Sequence, residues 1–206
     1  MPIHGCYAQY VCVPQRKVIP VPAGLDAAEA VAVVLNYTTA YQMLHRSAKA
    51  HPGQRMLIHG ASGGVGSAML QLAKLTGVEM YGTCSEQAAR LVRDLGGIPI
   101  DYNGSDFVKE IHRLTGGGVD AVFDGIGGEN LWRSRDALRE GGCVVTYGFQ
   151  SKMRGGRMAS HREGRHPYRE SAELGWLIVR NRFKPGRKRM VPYSIQWLMR
   201  LRPTWF

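Results

Sequence analysis

The segment from Arg55 to Gly148 alternates short apolar runs of strand length with longer stretches whose apolar residues recur at helical spacing. This alternation predicts an α/β fold, a doubly wound parallel sheet with helices on both of its faces. Glycines close several of the helical stretches, as helix C-termini prefer. The five predicted strands are Met56–His59, Val78–Thr83, Ile98–Ile100, Val119–Phe123 and Cys143–Tyr147, and the four predicted helices are Gly64–Thr76, Glu86–Leu95, Ser105–Leu114 and Asn130–Leu138.

Two flanking regions differ from this alternating segment. Before it, Tyr7–Val13 alternates like a strand, Asp26 is placed to cap a helix that starts at the next residue, and Tyr37–Ala48 is predicted to be helical. After it, Ser151–Tyr168 is rich in Gly, Arg and His and is predicted to be a loop. Glu170–Arg182 has apolar residues at helical spacing and is predicted to be a helix.

The apolar runs and the cysteines exclude several classes of protein. No apolar run approaches the ~20 residues of a membrane-spanning helix, so we do not expect the chain to cross a membrane. The four cysteines, at positions 6, 12, 84 and 143, form no Cys-x-x-Cys pair. This spacing argues against a structural zinc site and a disulfide framework, and we predict no metal site. Reduced thiols are typical of a cytoplasmic protein, which is the location that we expect.

The net charge of +11 is confined to the last part of the chain. Residues 1–150 hold 13 basic and 13 acidic residues, whereas residues 151–206 hold 14 basic and 3 acidic residues. Such density can attract nucleic acid or an anionic membrane surface. A solvated face or a protein-partner surface is the more common outcome, and we favour it over both.

A glycine-rich loop, Gly60-Ala61-Ser62-Gly63-Gly64-Val65-Gly66, follows the first strand of the alternating segment and opens its first helix. The diphosphate of a dinucleotide binds best where unpaired backbone N–H groups point outward at a helix N-terminus. Glycines allow the sharp turn and the close approach of the backbone. The alternative is a tight turn without a ligand, since the spacing is Gly-x-x-Gly-x-x-Gly rather than Gly-x-Gly-x-x-Gly. Without a following Gly-Lys-Ser/Thr, the loop is not that of a nucleoside triphosphatase.

The end of the second strand bears on which dinucleotide would bind. An NAD site places an acidic residue about 20 residues beyond the loop, where it grips the ribose hydroxyls. Ser85 is small and neutral there, which leaves room for a 2′-phosphate, and Arg90 is a candidate cation for that phosphate. Glu86 favours NAD instead. We favour NADP, with NAD as the alternative.

Other motifs extend the pattern beyond the glycine loop. They are Leu35–Tyr41, Lys49–Gln54, Ile100–Tyr102, Phe123–Gly128, Tyr147–Phe149, Tyr193–Ile195 and Pro203–Phe206. With His59–Gly66, they make the chain similar to the medium-chain dehydrogenase/reductases, and most similar to their zinc-independent quinone oxidoreductase branch. Zinc-dependent relatives carry a cysteine ligand where this chain has Leu35, which has no donor atom.

The resemblance implies a domain organisation. Family members combine a split, β-rich, GroES-like catalytic domain with a doubly wound nucleotide-binding domain of the Rossmann type. On this basis residues 1–24 are expected to be a remnant of the catalytic domain and residues 25–150 the dinucleotide-binding domain. Residues 151–206 are expected to be a basic insertion with a helix and an incomplete end of the nucleotide domain, which stops before its last strand.

The resemblance also implies which residues bind the cofactor, and it implies no catalytic side chain. The loop residues match the pyrophosphate site, Ser85 and Tyr102 match positions around the adenosine ribose, and Thr39 lies near the nicotinamide. With Gly60, Gly66 and Arg90, which the loop and the end of the second strand suggest, the predicted cofactor-binding set is Thr39, Gly60, Ser62, Gly63, Gly64, Val65, Gly66, Ser85, Arg90, Tyr102, Gly125, Tyr147, Gly148 and Phe149. Tyr102 as a surface aromatic and Thr39 bonded to its own backbone are the alternatives. His59, on a predicted buried strand, is interpreted as a hydrogen-bonded core histidine.

The expected function is that of an NADP(H)-dependent oxidoreductase that passes a hydride to a quinone or an α,β-unsaturated carbonyl without zinc. The alternative is a catalytically incomplete dinucleotide-binding module whose basic C-terminal region engages an anionic partner. We expect a small-molecule substrate. Apolar sheet edges and helix faces left exposed by truncation favour pairing into a homodimer.

Overall fold

The fold is known from a computed structural model, which describes residues 8–15, 18, 20–148, 153–154, 157–158 and 187–195. The helices are α1 (Ala27–Ala32), α2 (Thr38–Tyr41), α3 (Gly64–Thr76), α4 (Ala89–Asp94), α5 (Phe107–Thr115) and α6 (Glu129–Asp136). The strands are β1 (Arg55–His59), β2 (Glu79–Cys84), β3 (Ile98–Asp101), β4 (Val119–Asp124), β5 (Leu138–Thr146), β6 (Met153–Arg154), β7 (Arg157–Met158) and β8 (Arg189–Pro192).

Six parallel strands form one sheet in the order β3-β2-β1-β4-β5-β8. This is the order of a doubly wound dinucleotide-binding fold, so the predicted fold class is confirmed. The crossovers explain the parallel pairing, because each of α3, α4, α5 and α6 follows one strand and precedes the next. All five strands predicted from the alternation belong to this sheet.

Two parts of the sheet differ from the prediction. The strand β5 starts at Leu138, which was predicted to end a helix, because α6 stops at Asp136 and Leu138 pairs with Val119. A sixth strand that the sequence did not predict, β8, pairs in parallel with β5. The expectation that the chain stops before the last strand of the nucleotide domain stays a prediction. The four residues of β8 follow a basic stretch and end at Pro192, so their sequence shows little of the pattern of a strand. A proline is nevertheless tolerated in a strand at the edge of a sheet.

The flanking regions also correct the sequence analysis. Residues 8–13 of the predicted strand Tyr7–Val13 form no strand, because no strand in the described part of the chain pairs with their backbone N–H and C=O groups. The Tyr10 side chain is 91% exposed. The antiparallel pair β6–β7 lies within the segment predicted to be a loop. The predicted helix Glu170–Arg182 and most of the basic region lie outside the described residues. The division at residues 24 and 150 stays a prediction.

A helical segment precedes the sheet and packs on one of its faces. Asp26 caps α1 as predicted, because its Oδ1 accepts from the backbone N–H groups of Ala28 at 2.9 Å and Glu29 at 3.2 Å. The wider, π-helical turns Val33–Tyr37 and Gln42–Ser47 continue the helix before and after α2. Helicity over the predicted stretch is therefore confirmed, and α2 packs against α3.

The core consists of two apolar layers separated by the sheet. Met56 and Ile58 of β1 point to the layer that holds α3 and the first helical segment. Leu57, between them, points to the layer that holds α5 and α6. This alternation fixes the register of β1 and thereby the place where the chain leaves the sheet at Gly60. No described helix is long and apolar enough to span a bilayer.

Candidate functional site

The candidate site lies at the carboxyl edge of the sheet, where the strand order reverses between β1 and β4. From β1 the chain continues outward to β2 and β3, and from β4 it continues in the opposite direction to β5 and β8. The loops that follow β1 and β4 therefore diverge and leave a crevice, which is where doubly wound folds bind ligands. Ser62, Ser85, Tyr102, Gly125 and Tyr147 of the predicted set, which follow β1, β2, β3, β4 and β5, come to this edge.

The glycine loop makes a sharp turn into α3. Gly60 has φ +70°, a conformation that favours glycine, and its carbonyl accepts a 3.0 Å hydrogen bond from the N–H of Gly63. At Gly66 a Cβ would overlap the Gly60 carbonyl oxygen and lie 2.7 Å from the Cα of Ala61. The glycine therefore lets α3 approach the strand end closely.

The N-terminus of α3 is open. Gly63 is its N-cap residue, and no side chain within the described ranges caps the helix. The first-turn N–H groups are consequently available to an anion, and the 13 residues of α3 give it a full helix dipole. Ser62, Gly63 and Gly64 are exposed, so a ligand can reach these groups.

The side chain of Asn36 lies against the loop, a placement that the sequence analysis missed. A Cβ on Gly64 would come within 2.6 Å of the Asn36 Nδ2 atom. The absence of a side chain at position 64 therefore admits the Asn36 amide to the start of α3. Asn36 lies within the motif Leu35–Tyr41, which by itself predicts no role for it.

The opposite wall of the crevice is formed by the ends of β4 and β5. A Cβ on Gly125 would lie 2.9 Å from Cζ of Tyr147, and a Cβ on Gly148 would lie 3.1 Å from the Cα of Gly125. The two glycines therefore allow these strand ends to pack closely together. The backbone N–H of Tyr147 donates to the Asp124 carbonyl at 3.0 Å. Burial, together with the nearby Asp124 carboxylate, raises the pKa of Tyr147 to about 12. Tyr147 therefore stays a neutral hydrogen-bonding group, and Phe149 of the predicted set lies outside the described residues.

Beneath the crevice, His59 is hydrogen-bonded through both ring nitrogens, which confirms its interpretation as a core histidine. Nδ1 lies 3.1 Å from Thr83 Oγ1 and Nε2 lies 3.0 Å from Ser134 Oγ. Burial lowers the pKa of His59 to about 4, with Asp124 opposing and Arg133 adding to this effect. The imidazole is therefore neutral at physiological pH.

The Asp124 carboxylate organises the turn after β4. Its Oδ1 accepts from the backbone N–H groups of Ile126 and Gly127, both at 2.8 Å. Its Oδ2 accepts from Asn130 Nδ2 at 3.0 Å and from Ser134 Oγ at 2.8 Å. Sequence spacing suggested only that a strand ends here, and the four bonds show that the carboxylate holds the loop shape.

The residues assigned to the adenosine side lie at the ends of β2 and β3. Ser85 directly follows β2 and is half-buried, and Tyr102 follows β3 and is exposed. Asp101 shapes the second turn by accepting from the N–H groups of Asn103 and Gly104 at 3.1 and 3.0 Å. Arg90 extends from α4 with its side chain 92% exposed, and its Nε lies 3.8 Å from Asp94. Such a weak surface pair leaves the guanidinium open to an anionic group.

Thr39 lies in a buried polar cluster on the side of the sheet that carries α3. It is 6% exposed and hydrogen-bonds the hydroxyl of Tyr193, which also donates to Gln42 Oε1 at 2.9 Å. The cluster joins the first helical segment to the residue that follows β8, a partner that the alternative of a bond to its own backbone did not include. The predicted place of Thr39 near the nicotinamide stays a prediction. Leu35, nearby, is exposed. In the part of the chain that the structure describes, no three His, Cys, Asp or Glu side chains gather as metal ligands.

The chain is similar to members of one protein family. The sequence model of the family described as zinc-binding dehydrogenase matches residues 64–161. The rat synaptic vesicle membrane protein VAT-1 homolog is 36% identical over 153 residues, which cover 73% of this chain and 38% of that protein. A 2-haloacrylate reductase from a Burkholderia species is 38% identical over 156 residues, covering 73% of this chain and 47% of the reductase.

Solved structures give the same picture. The Escherichia coli quinone oxidoreductase complexed with NADPH superposes with a TM-score of 0.70 at 28% identity, covering 90% of this chain and 52% of that one. A quinone oxidoreductase from Pseudomonas syringae gives a TM-score of 0.71 at 26% identity, covering 91% of this chain and 53% of that one. The chain spans about half the length of these two structures. It spans less than half the length of the VAT-1 homolog and the 2-haloacrylate reductase.

Proposed function

We propose that this chain, which belongs to the medium-chain dehydrogenase/reductase superfamily in its quinone oxidoreductase-like branch, binds NADP(H) in the crevice between β1 and β4 and serves hydride transfer to a small molecule. The observation that carries the proposal is the open N-terminus of α3 behind the glycine turn at the switch point. This is the arrangement that a dinucleotide diphosphate needs.

The residues present fit such a diphosphate. The exposed loop residues Ser62 and Gly64 offer backbone N–H groups, and the helix dipole adds a positive field at the same place. Gly60 and Gly66 provide the turn and the close packing that keep these groups pointing outward. No charged side chain is needed for this contact, because the uncapped backbone supplies the donors.

The preference for NADP over NAD rests on the end of β2. Ser85 stands where an NAD-binding chain carries an acid, and a carboxylate there would repel a 2′-phosphate. Arg90, whose guanidinium is exposed on the helix that follows that strand end, is our candidate partner for the phosphate. The related Escherichia coli quinone oxidoreductase was crystallised with NADPH, which supports the same choice.

Bound NADPH supplies a hydride, and the protein then needs to orient its partners and stabilise negative charge that develops on the acceptor oxygen. The wall formed by Gly125, Tyr147 and Gly148 would hold the nicotinamide side, since its two glycines let the ends of β4 and β5 and the Tyr147 ring pack closely into one surface. We propose a quinone or an α,β-unsaturated carbonyl as the acceptor. One relative is named a quinone oxidoreductase and another a 2-haloacrylate reductase, and a 2-haloacrylate has a carbon–carbon double bond next to its carboxyl group.

Calorimetric titration of the purified chain with NADPH and NADH tests the binding proposal, with tryptophan fluorescence as a second readout. We expect saturable binding of NADPH that is at least about tenfold tighter than that of NADH, equivalent to ~1.4 kcal/mol. Oxidation of bound NADPH by a soluble quinone, followed by absorbance, tests the reaction. Binding without turnover would support a dinucleotide-binding module, and lack of binding would refute both proposals.

A further inference from the structure

A buried chain of hydrogen bonds runs beneath the crevice and joins its two walls. Its members are His59, Thr83, Ser134 and Asp124, each at most 4% exposed. They come from β1, β2, α6 and β4, and β1 with β2 places His59 and Thr83 in register. At one end, the backbone N–H of Gly60 contacts Thr83 Oγ1 at 3.2 Å.

The direction of every bond in this chain is determined by the Asp124 carboxylate. A carboxylate accepts, so the Ser134 hydroxyl donates to Asp124 Oδ2 at 2.8 Å and has no hydrogen left for His59. Nε2 of His59 must then donate to Ser134 Oγ, which leaves Nδ1 as an acceptor for the Thr83 hydroxyl. Because the Thr83 hydroxyl donates to His59, its lone pairs face the N–H of Gly60.

We propose that His59 is a positioning residue for the dinucleotide: as the neutral Nε2–H tautomer it links the glycine turn at Gly60 to the Asp124 turn, so that the two walls of the crevice are held as one hydrogen-bonded unit. This inference rests on the proposed function, because its consequence is the affinity for NADPH. The phosphate-binding loop starts at Gly60, and the Gly125 wall is adjacent to Asp124.

The unit matters for binding because a ligand that spans both walls needs them at a fixed separation before it arrives. Preformed geometry spares the ordering of the loops at the moment of binding. Thr83 holds the loop twice, since its carbonyl also accepts from Ala61 N–H at 2.9 Å. Loss of the Thr83 hydroxyl would keep the backbone bond from Ala61 and remove the two contacts of Thr83 Oγ1, with His59 Nδ1 and with the Gly60 N–H.

The test compares hydroxyl loss with shape change at position 83. T83V keeps the shape but leaves the Gly60 N–H and His59 Nδ1 without partners, whereas T83S keeps the hydroxyl and loses a methyl group. T146V is the matched control, because Thr146 is equally buried and its Oγ1 has no hydrogen-bond partner in the described residues. We expect the Kd for NADPH to rise about tenfold in T83V, equivalent to ~1.4 kcal/mol, and to stay within about twofold of wild type in T83S and T146V.

A purely structural role predicts the reverse order, with T83S weaker than T83V, and that result would overturn the proposal. S134A breaks the same chain at its other end, so the double variant T83V/S134A should lose less affinity than the product of the two single losses. Fully multiplicative losses would also overturn it. These conservative variants keep the test valid even where removal of His59 itself prevents folding.

The tautomer gives a readout that does not depend on affinity. In ¹⁵N-edited NMR of the full chain, the His59 ring should show a proton on Nε2 and none on Nδ1, with the same tautomer in T146V. A proton on Nδ1 would refute the bond directions. Failure of the wild-type chain to bind NADPH would overturn the proposed function and this inference together, whereas wild-type binding that T83V leaves unchanged would overturn this inference alone.

Discussion

Acidification should destabilise the protein through His59 well before most carboxylates are protonated. Burial lowers the pKa of this histidine from 6.5 to about 4. As the pH falls below 6.5, His59 becomes protonated in the unfolded chain while it stays neutral in the folded chain. The unfolded state therefore binds more protons between those two values. Stability falls as the pH drops from about 6.5 toward about 4 and is fully present above 6.5.

The size of this effect follows from the two pKa values. At ~1.4 kcal/mol for each pH unit, the gap between 6.5 and about 4 amounts to about 3 kcal/mol. About 2 kcal/mol of this should be lost between pH 7 and pH 4.5, because the folded histidine is then still mostly neutral. A loss of that size is a large share of the ~5–15 kcal/mol that stabilises a typical domain.

Urea denaturation followed by circular dichroism at pH 7 and pH 4.5 measures the loss, with H59N as the comparison. Burial also lowers the pKa of His45, which is partly buried. His45 is present in both proteins, so its contribution to the loss of stability cancels in the comparison. Wild type should lose about 2 kcal/mol more than H59N over this range. Equal losses in the two proteins would refute the claim that His59 is buried in its neutral form.

Three further predictions concern single positions. G66A should lower the free energy of unfolding by about 1–3 kcal/mol in thermal denaturation because its Cβ meets the loop backbone, whereas a Cβ at Gly117 meets nothing within 4 Å and G117A should differ little from wild type. D106A should cost about 1 kcal/mol in urea denaturation, since Asp106 caps α5, and D106N, which retains a capping side chain, should restore most of it. R90A should weaken the binding of NADPH by about fivefold in calorimetry and leave the binding of NADH unchanged, whereas R93A on the same helix should change neither affinity. Equal weakening of the binding of both cofactors by R90A would contradict the role of Arg90.

Local sequence patterns predicted the start of the site well. The glycine loop and the helix Gly64–Thr76 follow from a run of small residues between an apolar strand and an apolar helical repeat, and α3 has these bounds. Glycines report a local need for space or for a positive φ, which is a property of the neighbouring backbone. For that reason the turn at Gly60 could be predicted without knowledge of the rest of the fold.

Contacts made across the fold could not be predicted in the same way. His59 could be recognised as a buried histidine, but its partners lie 24 and 75 residues away, and only the sheet order brings Thr83 and Ser134 to its two nitrogens. The strand β8 was missed because its four residues owe their conformation to pairing with β5 rather than to their own pattern. Asn36 was missed because its role depends on the space left at Gly64.

The most direct test of the central claim is to follow backbone amide signals in ¹H–¹⁵N spectra while NADPH is added. The N–H groups of Gly64 and Val65 at the start of α3 should show the largest saturable shifts, because they would bind the diphosphate oxygens. Saturable shifts confined to other parts of the chain, with these two amides unchanged, would contradict the account.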